Sequence, residues 1–118
     1  MFKFENLDAW KASIDLYRRV AGDTEKLTRP GQAFLAAHIR RTALSISANI
    51  AEGTGREGLR ESKQFFNIAK GSTYEVVSIA YILREERVLT PAQFSEIYDR
   101  CDWIARMLSG LIRKRREG

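Results

Sequence analysis

The segment SISANIAEGTGR, Ser45 to Arg56, decides how this chain folds. Its isoleucines and alanines recur at helical spacing, while serines, an asparagine and a glutamate interrupt them. At about 100° per residue, Leu35, Ile39, Ala43, Ile46 and Ile50 share one face of a helix expected over about residues 32–52. Ala37, Leu44, Ala48 and Ala51 fall on roughly the opposite side, and His38, Arg41, Ser45, Asn49 and Glu52 form a polar stripe between them. A helix apolar on two sides has neighbours on two sides. One bundle supplies one set of neighbours, so the second face predicts another subunit. The competing reading is that outward alanines simply favour helix formation. Gly53 is expected to stop the helix, because glycine tolerates positive φ, with Gly53-Thr54-Gly55 as a turn.

Three more amphipathic stretches flank this one. The first is expected over about 7–27, with Leu7, Trp10, Ile14, Tyr17 and Ala21 on one face and Arg29-Pro30-Gly31 ending it. The third is expected over about 58–88, with a core stripe of Ser62, Phe65, Ala69, Ser72, Val76, Ile79 and Leu83. The fourth, about 91–113, has the strongest start signal: Thr90 as N-cap, Pro91 at the first helical position and Gln93 completing a capping box. Leu89 and Phe94 take the two positions of a hydrophobic staple. Its buried face reads Phe94, Ile97, Cys101, Ile104, Leu108, Leu111 and Ile112, and a basic tail covers 113–118. No alternating run of β-branched residues offers a strand. Short links force antiparallel neighbours, so the reading is all-α: a single domain over 1–118, folded as an antiparallel up-down-up-down four-helix bundle.

Composition bounds the function. A chain of 118 residues, 44% hydrophobic and 30% charged, builds one core. No apolar run approaches the roughly 20 residues that cross a bilayer, and Met1-Phe2-Lys3-Phe4-Glu5 lacks the pattern of a signal peptide. A single cysteine, Cys101, forms no internal disulfide. The expectation is a cytoplasmic protein with no membrane association. A net charge of +5 favours anionic partners, though it also serves solubility.

The pair SISANIAEG and FFNIAKGSTYE resembles the bacterial four-helix-bundle family named for proteins encoded in intervening sequences of 23S rRNA genes. Its members carry a Ser-Ile-Pro-Ala-Asn-Ile-Ala-Glu-Gly segment, then Phe, then Ile-Ala-x-Gly-Ser and a downstream Glu. The matching positions here are Ser45 to Gly53, Phe65 or Phe66, Ile68 to Ser72, and Glu75. The resemblance runs from Leu7 and Trp10 to Leu111-Ile112. Ser47 replaces a frequent proline and should leave the helix straighter. Gly58 replaces a frequent capping serine, without a side-chain acceptor. The resemblance implies a bundle that assembles into a ring-like homo-oligomer, a homopentamer by analogy. It also implies a kinship with accessory proteins of diversity-generating retroelements, which bind a reverse transcriptase and nucleic acid. Fold and assembly follow from it more directly than function does.

Two residue sets invite a chemical reading. Arg41, Ser45, Asn49, Glu52, Ser72 and Glu75 should converge where the second and third helices meet. Nothing among them makes a nucleophile–base–orienter set, and the only histidine, His38, has no motif around it. The expected role is a structural hydrogen-bond network that fixes helix register. Gly71, inside the third helix, costs about 1 kcal/mol relative to alanine, so a close approach by another helix or subunit is expected there. No metal or cofactor motif occurs. The second set is basic: Arg56, Lys63, Asn67, Lys70, Tyr74 and Tyr81 on one face of the third helix with Arg60 alongside, and Arg113, Lys114, Arg115 and Arg116 in the tail. Cations interleaved with tyrosines hold phosphates and stack on unpaired bases. The alternative is a solvated face whose tyrosines cover neighbouring apolar surface, and tail cations that complement a helix dipole.

The sequence therefore reads as a non-enzymatic scaffold or accessory protein that binds RNA, DNA, a nucleic-acid enzyme such as a reverse transcriptase, or a combination. Ala37, Leu44, Ala48, Ala51, Trp103 and Met107 are its expected subunit contacts. The alternatives are a purely structural protein–protein adaptor and a small hydrolase working at Glu52 and Glu75.

Overall fold

Thr90 and Gln93 make the reciprocal bonds of a capping box. The Thr90 amide donates to Gln93 Oε1 at 2.9 Å, and the Gln93 amide donates to Thr90 Oγ1 at 3.1 Å. Helix α4 (Pro91–Glu117) starts there, with Leu89 and Phe94 both buried beside the cap. The computed structural model describes the backbone of residues 1–117 and the side chains of residues 1–115. Before α4 come a 3-10 turn (Lys3–Asn6), α1 (Asp8–Thr24), α2 (Pro30–Gly55) and α3 (Leu59–Glu85), with no strand among the described residues.

Each helix packs on its neighbour in the chain, and α1 also packs on α4. Neither α1 and α3 nor α2 and α4 touch, so the four stand at the corners of a square. The cross-links His38–Glu75 and Ser45–Ser72 run in opposite senses along α2 and α3. Tyr81–Phe94 and Ser62–Arg115 do the same along α3 and α4. The core is one cluster that includes Leu16 and Val20 from α1, Ile39, Ile46 and Ile50 from α2, Phe66, Val76 and Leu83 from α3, and Ile97, Ile104 and Leu108 from α4.

Several expectations shift by a residue or a turn. Pro30 opens α2 rather than closing α1, as its fixed φ and missing amide allow. Helix α2 runs through Gly53 to Gly55, and no glycine among the described residues has positive φ. Gly53 serves packing instead: a Cβ there would lie 2.8 Å from the Phe66 ring. Phe66 is accordingly the buried member of the Phe65-Phe66 pair, and Thr73 rather than Ser72 continues the stripe. In α1 the buried positions are Ala9, Ser13, Leu16, Val20 and Thr24; Leu7, Trp10 and Tyr17 pack at the flank, and Ile14 and Ala21 are half-buried. Ser13 and Thr24 escape an apolar pattern because their hydroxyls donate back to the carbonyls of Trp10 and Val20. The expected basic tail is the end of α4.

Candidate functional site

The polar residues of α2 and α3 meet at the mouth of their shared groove, but as separate contacts. Ser45 Oγ lies 2.8 Å from Ser72 Oγ and 2.7 Å from the Thr42 carbonyl. Glu75 lies 2.9 Å from His38 Nε2 and 3.5 Å from Thr42 Oγ1. Asn49 donates to the Ser45 carbonyl on its own helix. Glu52 turns toward Arg56, 2.8 Å away, and Arg41 is exposed. The expected buried network is thus a half-exposed set of links. The serine pair and the His38–Glu75 contact link α2 to α3, and exposed polar contacts of this kind contribute little. Sequence reasoning missed His38 as a partner of Glu75, because the two are brought together only by helix pairing.

The basic residues divide into structural and available cations. Arg115 donates from Nε to Ser62 Oγ at 2.7 Å and from Nη1 to the Leu111 carbonyl at 3.1 Å, and its guanidinium sits 4.3 Å from the Phe66 ring centroid. Burial pulls its pKa below the usual arginine value. Arg56 pairs with Glu52 and lies over Phe65, on the α2 side of α3. Because α4 continues as a helix, Arg113, Lys114 and Arg115 point about 100° apart rather than forming one hand. Arg113 and Lys114 are exposed; the side chain of Arg116 lies outside the described residues. Arg60 is exposed, and Lys63 and Lys70 are half-buried.

Lys70 and Tyr74 face α4. With Asp102, Ala105, Arg106, Ser109 and Arg113 they line a cleft of about 260 Å³. A second cleft of about 220 Å³ adjoins it, sharing Tyr74, Asp102 and Ala105 and adding Thr73, Val77, Tyr98 and Cys101. Asp102 holds Arg106 at 3.1 Å along α4. Tyr81 does not line either cleft. Its ring meets Phe94 at 4.6 Å and Tyr98 at 6.5 Å, Tyr98 also packs on Phe94 at 5.8 Å, and Arg84 covers Tyr81 and Phe94. Tyr81 therefore covers apolar surface, whereas Tyr74 stays 64% exposed. The α4 half of this groove, Tyr98 and Arg106 above all, escaped sequence reading. The Cys101 thiol at its floor is pushed up to about 12 by burial, so it is unreactive at neutral pH.

The outward face of α2 carries exposed Phe34, Leu44 and Ala48 with half-buried Ala37 and Ala51. With exposed Arg41 they alternate at three- and four-residue steps, the spacing of a helix-packing seam. Trp103, 60% exposed, lies on α4 at the diagonal corner, while Met107 is half-buried against the core. Gly71 is exposed, and a Cβ there would meet nothing in the chain. No helix of this chain makes the close approach expected at that glycine.

Among the described residues, no three His, Cys, Asp or Glu side chains converge to hold a metal ion. No helix among the described residues is long and apolar enough to cross a membrane. No curated protein matches the chain. The family model described as 23S rRNA-intervening sequence protein matches residues 5–110, which span all of α1 to α3 and most of α4. The chain, with its four packed helices, belongs to the 23S rRNA-intervening sequence protein family.

Proposed function

We propose that this protein is a non-enzymatic, cytoplasmic scaffold that binds nucleic acid, a nucleic-acid-processing partner such as a reverse transcriptase, or both. The observation that carries the reading is the α3–α4 groove, where Lys70 and Arg113 stand beside exposed Tyr74. Lysine and arginine neutralise phosphates and release counterions, while a tyrosine face accepts a base. No base-reading motif is evident in the sequence, so sequence choice falls to a partner. The test is binding of RNA and DNA across a salt series. Lys63→Glu with Lys70→Glu should weaken binding across all sequences and flatten the salt dependence, with helical content unchanged. Absence of binding by the wild type at low salt would overturn the reading.

The scaffold is proposed to be a ring of up-down-up-down bundles, pentameric by family resemblance. The α2 seam and Trp103 stand on helices that do not touch, at opposite corners of the bundle. Two different patches facing opposite ways favour a head-to-tail contact, which closes into a ring when its rotation allows. Light scattering at micromolar concentration distinguishes this from the 13.5 kDa monomer. That seam also favours a second reading, a protein–protein adaptor without nucleic-acid binding, which the same salt series separates.

A further inference from the structure

We infer that the α3–α4 groove selects single-stranded over double-stranded nucleic acid, seating an unpaired base between Tyr74 and Tyr98 and its phosphate beside Lys70 and Arg113. This rests on the nucleic-acid reading above and adds the form of the ligand. The two adjoining clefts differ in chemistry. One, about 220 Å³, is floored by Val77, Cys101 and Ala105 and flanked by the two tyrosines, which are 64% and 43% exposed. The other, about 260 Å³, is lined by Lys70, Arg106, Ser109 and Arg113. The first is smaller than the roughly 300–1,000 Å³ typical of cofactor sites, so it suits a single ring system better than a whole cofactor. Its lining is mostly apolar and aromatic, which recognises a base face and offers nothing to a phosphate.

A duplex cannot use both clefts. Its bases are stacked inside and its phosphates face outward, so it reaches the cations but leaves the tyrosines idle. A single strand presents both groups within one nucleotide and gains the stacking contribution as well. Asp102 stands where the clefts meet, held 3.1 Å from Arg106. Its charge discourages a phosphate at the junction and keeps the backbone on the Lys70–Arg113 side.

The test is fluorescence anisotropy with a labelled mixed-sequence DNA about 20 nucleotides long, several times the smallest site of a single-strand binding fold, alone and annealed to its complement. The single strand should bind about fivefold tighter or more, the least that one good base–aromatic stack contributes. Tyr74→Ala with Tyr98→Ala should remove that preference without changing the salt slope or the duplex affinity. Lys70→Glu with Arg113→Glu should weaken both forms and flatten the slope. Far-UV circular dichroism verifies the fold of each variant. Equal binding of both forms by the wild type, with no effect of the tyrosine pair, overturns the inference while leaving nucleic-acid binding intact. Binding of neither form overturns the underlying reading too. If the tyrosine pair changes the oligomeric mass but neither affinity, the groove is a subunit contact and the inference fails.

Discussion

Gly53 and Gly71 occupy helices that pack on each other, yet their surroundings are opposites. Gly53 is buried at the C-terminal end of α2, under the Phe66 ring, where a Cβ would come within 2.8 Å. Gly71 is exposed in the middle of α3, with open space where its Cβ would stand. Each glycine lowers helix propensity by about 1 kcal/mol relative to alanine. For Gly53 the compensation is visible: the aromatic ring fills the space. For Gly71 nothing in the chain provides one, and what would compensate is another molecule. The same division runs along α2, whose inner face of Ile39, Ala43, Ile46 and Ile50 is closed by the bundle while Phe34, Leu44 and Ala48 remain exposed.

The sharpest way to break this comparison is to truncate both faces of α2. Ile46→Ala should destabilise the bundle by about 2–5 kcal/mol, since a fully buried side chain leaves a cavity. Leu44→Ala should stay within about 0.5 kcal/mol in urea denaturation of the monomeric form, while shifting the oligomeric mass measured by light scattering. A loss of monomer stability at Leu44 comparable to that at Ile46 would erase the distinction between the faces.

The glycines themselves come next. Gly53→Ala should destabilise by about 1–3 kcal/mol through overpacking against Phe66, reduced by the gain in propensity. Gly71→Ala should have the opposite sign and stabilise the isolated bundle by up to about 1 kcal/mol. If a subunit packs on α3 at Gly71, the same change should weaken assembly. Stabilisation with unaltered assembly would leave Gly71 without a role at that surface.

Smaller effects test the α2–α3 links. Ser72→Ala should cost about 1 kcal/mol at most, because Ser45 keeps its contact with the Thr42 carbonyl. Glu75→Leu should cost less still, the carboxylate being exposed. Thermal melts that ranked Glu75 above Ser72 would mean the carboxylate is held in a buried assembly contact.

Near neutral pH the core shows no titration effect, but alkaline pH should reveal one. Burial raises the Cys101 thiol from 9.0 to about 12, so the unfolded chain loses this proton first. The neutral thiol therefore contributes stability that is complete below about pH 9 and is lost as pH climbs toward 12. Comparing denaturation of wild type and Cys101→Ala across that range measures it; parallel pH profiles would show that the thiol does not report core burial.

Legibility in the sequence followed the range of the interactions. The start of α4 was readable residue by residue, because Thr90 and Gln93 bond to each other three positions apart. The C-terminal end of α2 was not, because Gly53 answers to Phe66 on the next helix and no local rule distinguishes a terminator from a packing gap. Adjacent Phe65 and Phe66 look alike to a periodicity argument, and only helix packing, with Gly53 of α2 and Arg115 of α4 against its ring, buries the second. Of the groove, Lys70 and Tyr74 were legible at helical spacing, but Tyr98 and Arg106 join them only through helix pairing. The tail shows the reverse: Arg113, Lys114 and Arg115 are adjacent in the sequence, yet the helix turns each by about 100° from the last.

The sequence by itself determined that four helices form, roughly where each begins, and which family they belong to, because capping, apolar period and local motifs act within a few residues along one chain. Only the tertiary structure decided which of two neighbouring side chains is buried and that Arg115 is tied to Ser62 over Phe66. The same packing left Gly71 open and gave the α3–α4 groove both its clefts. Those outcomes depend on distances between residues far apart in the chain, which are set when helices pack and not before.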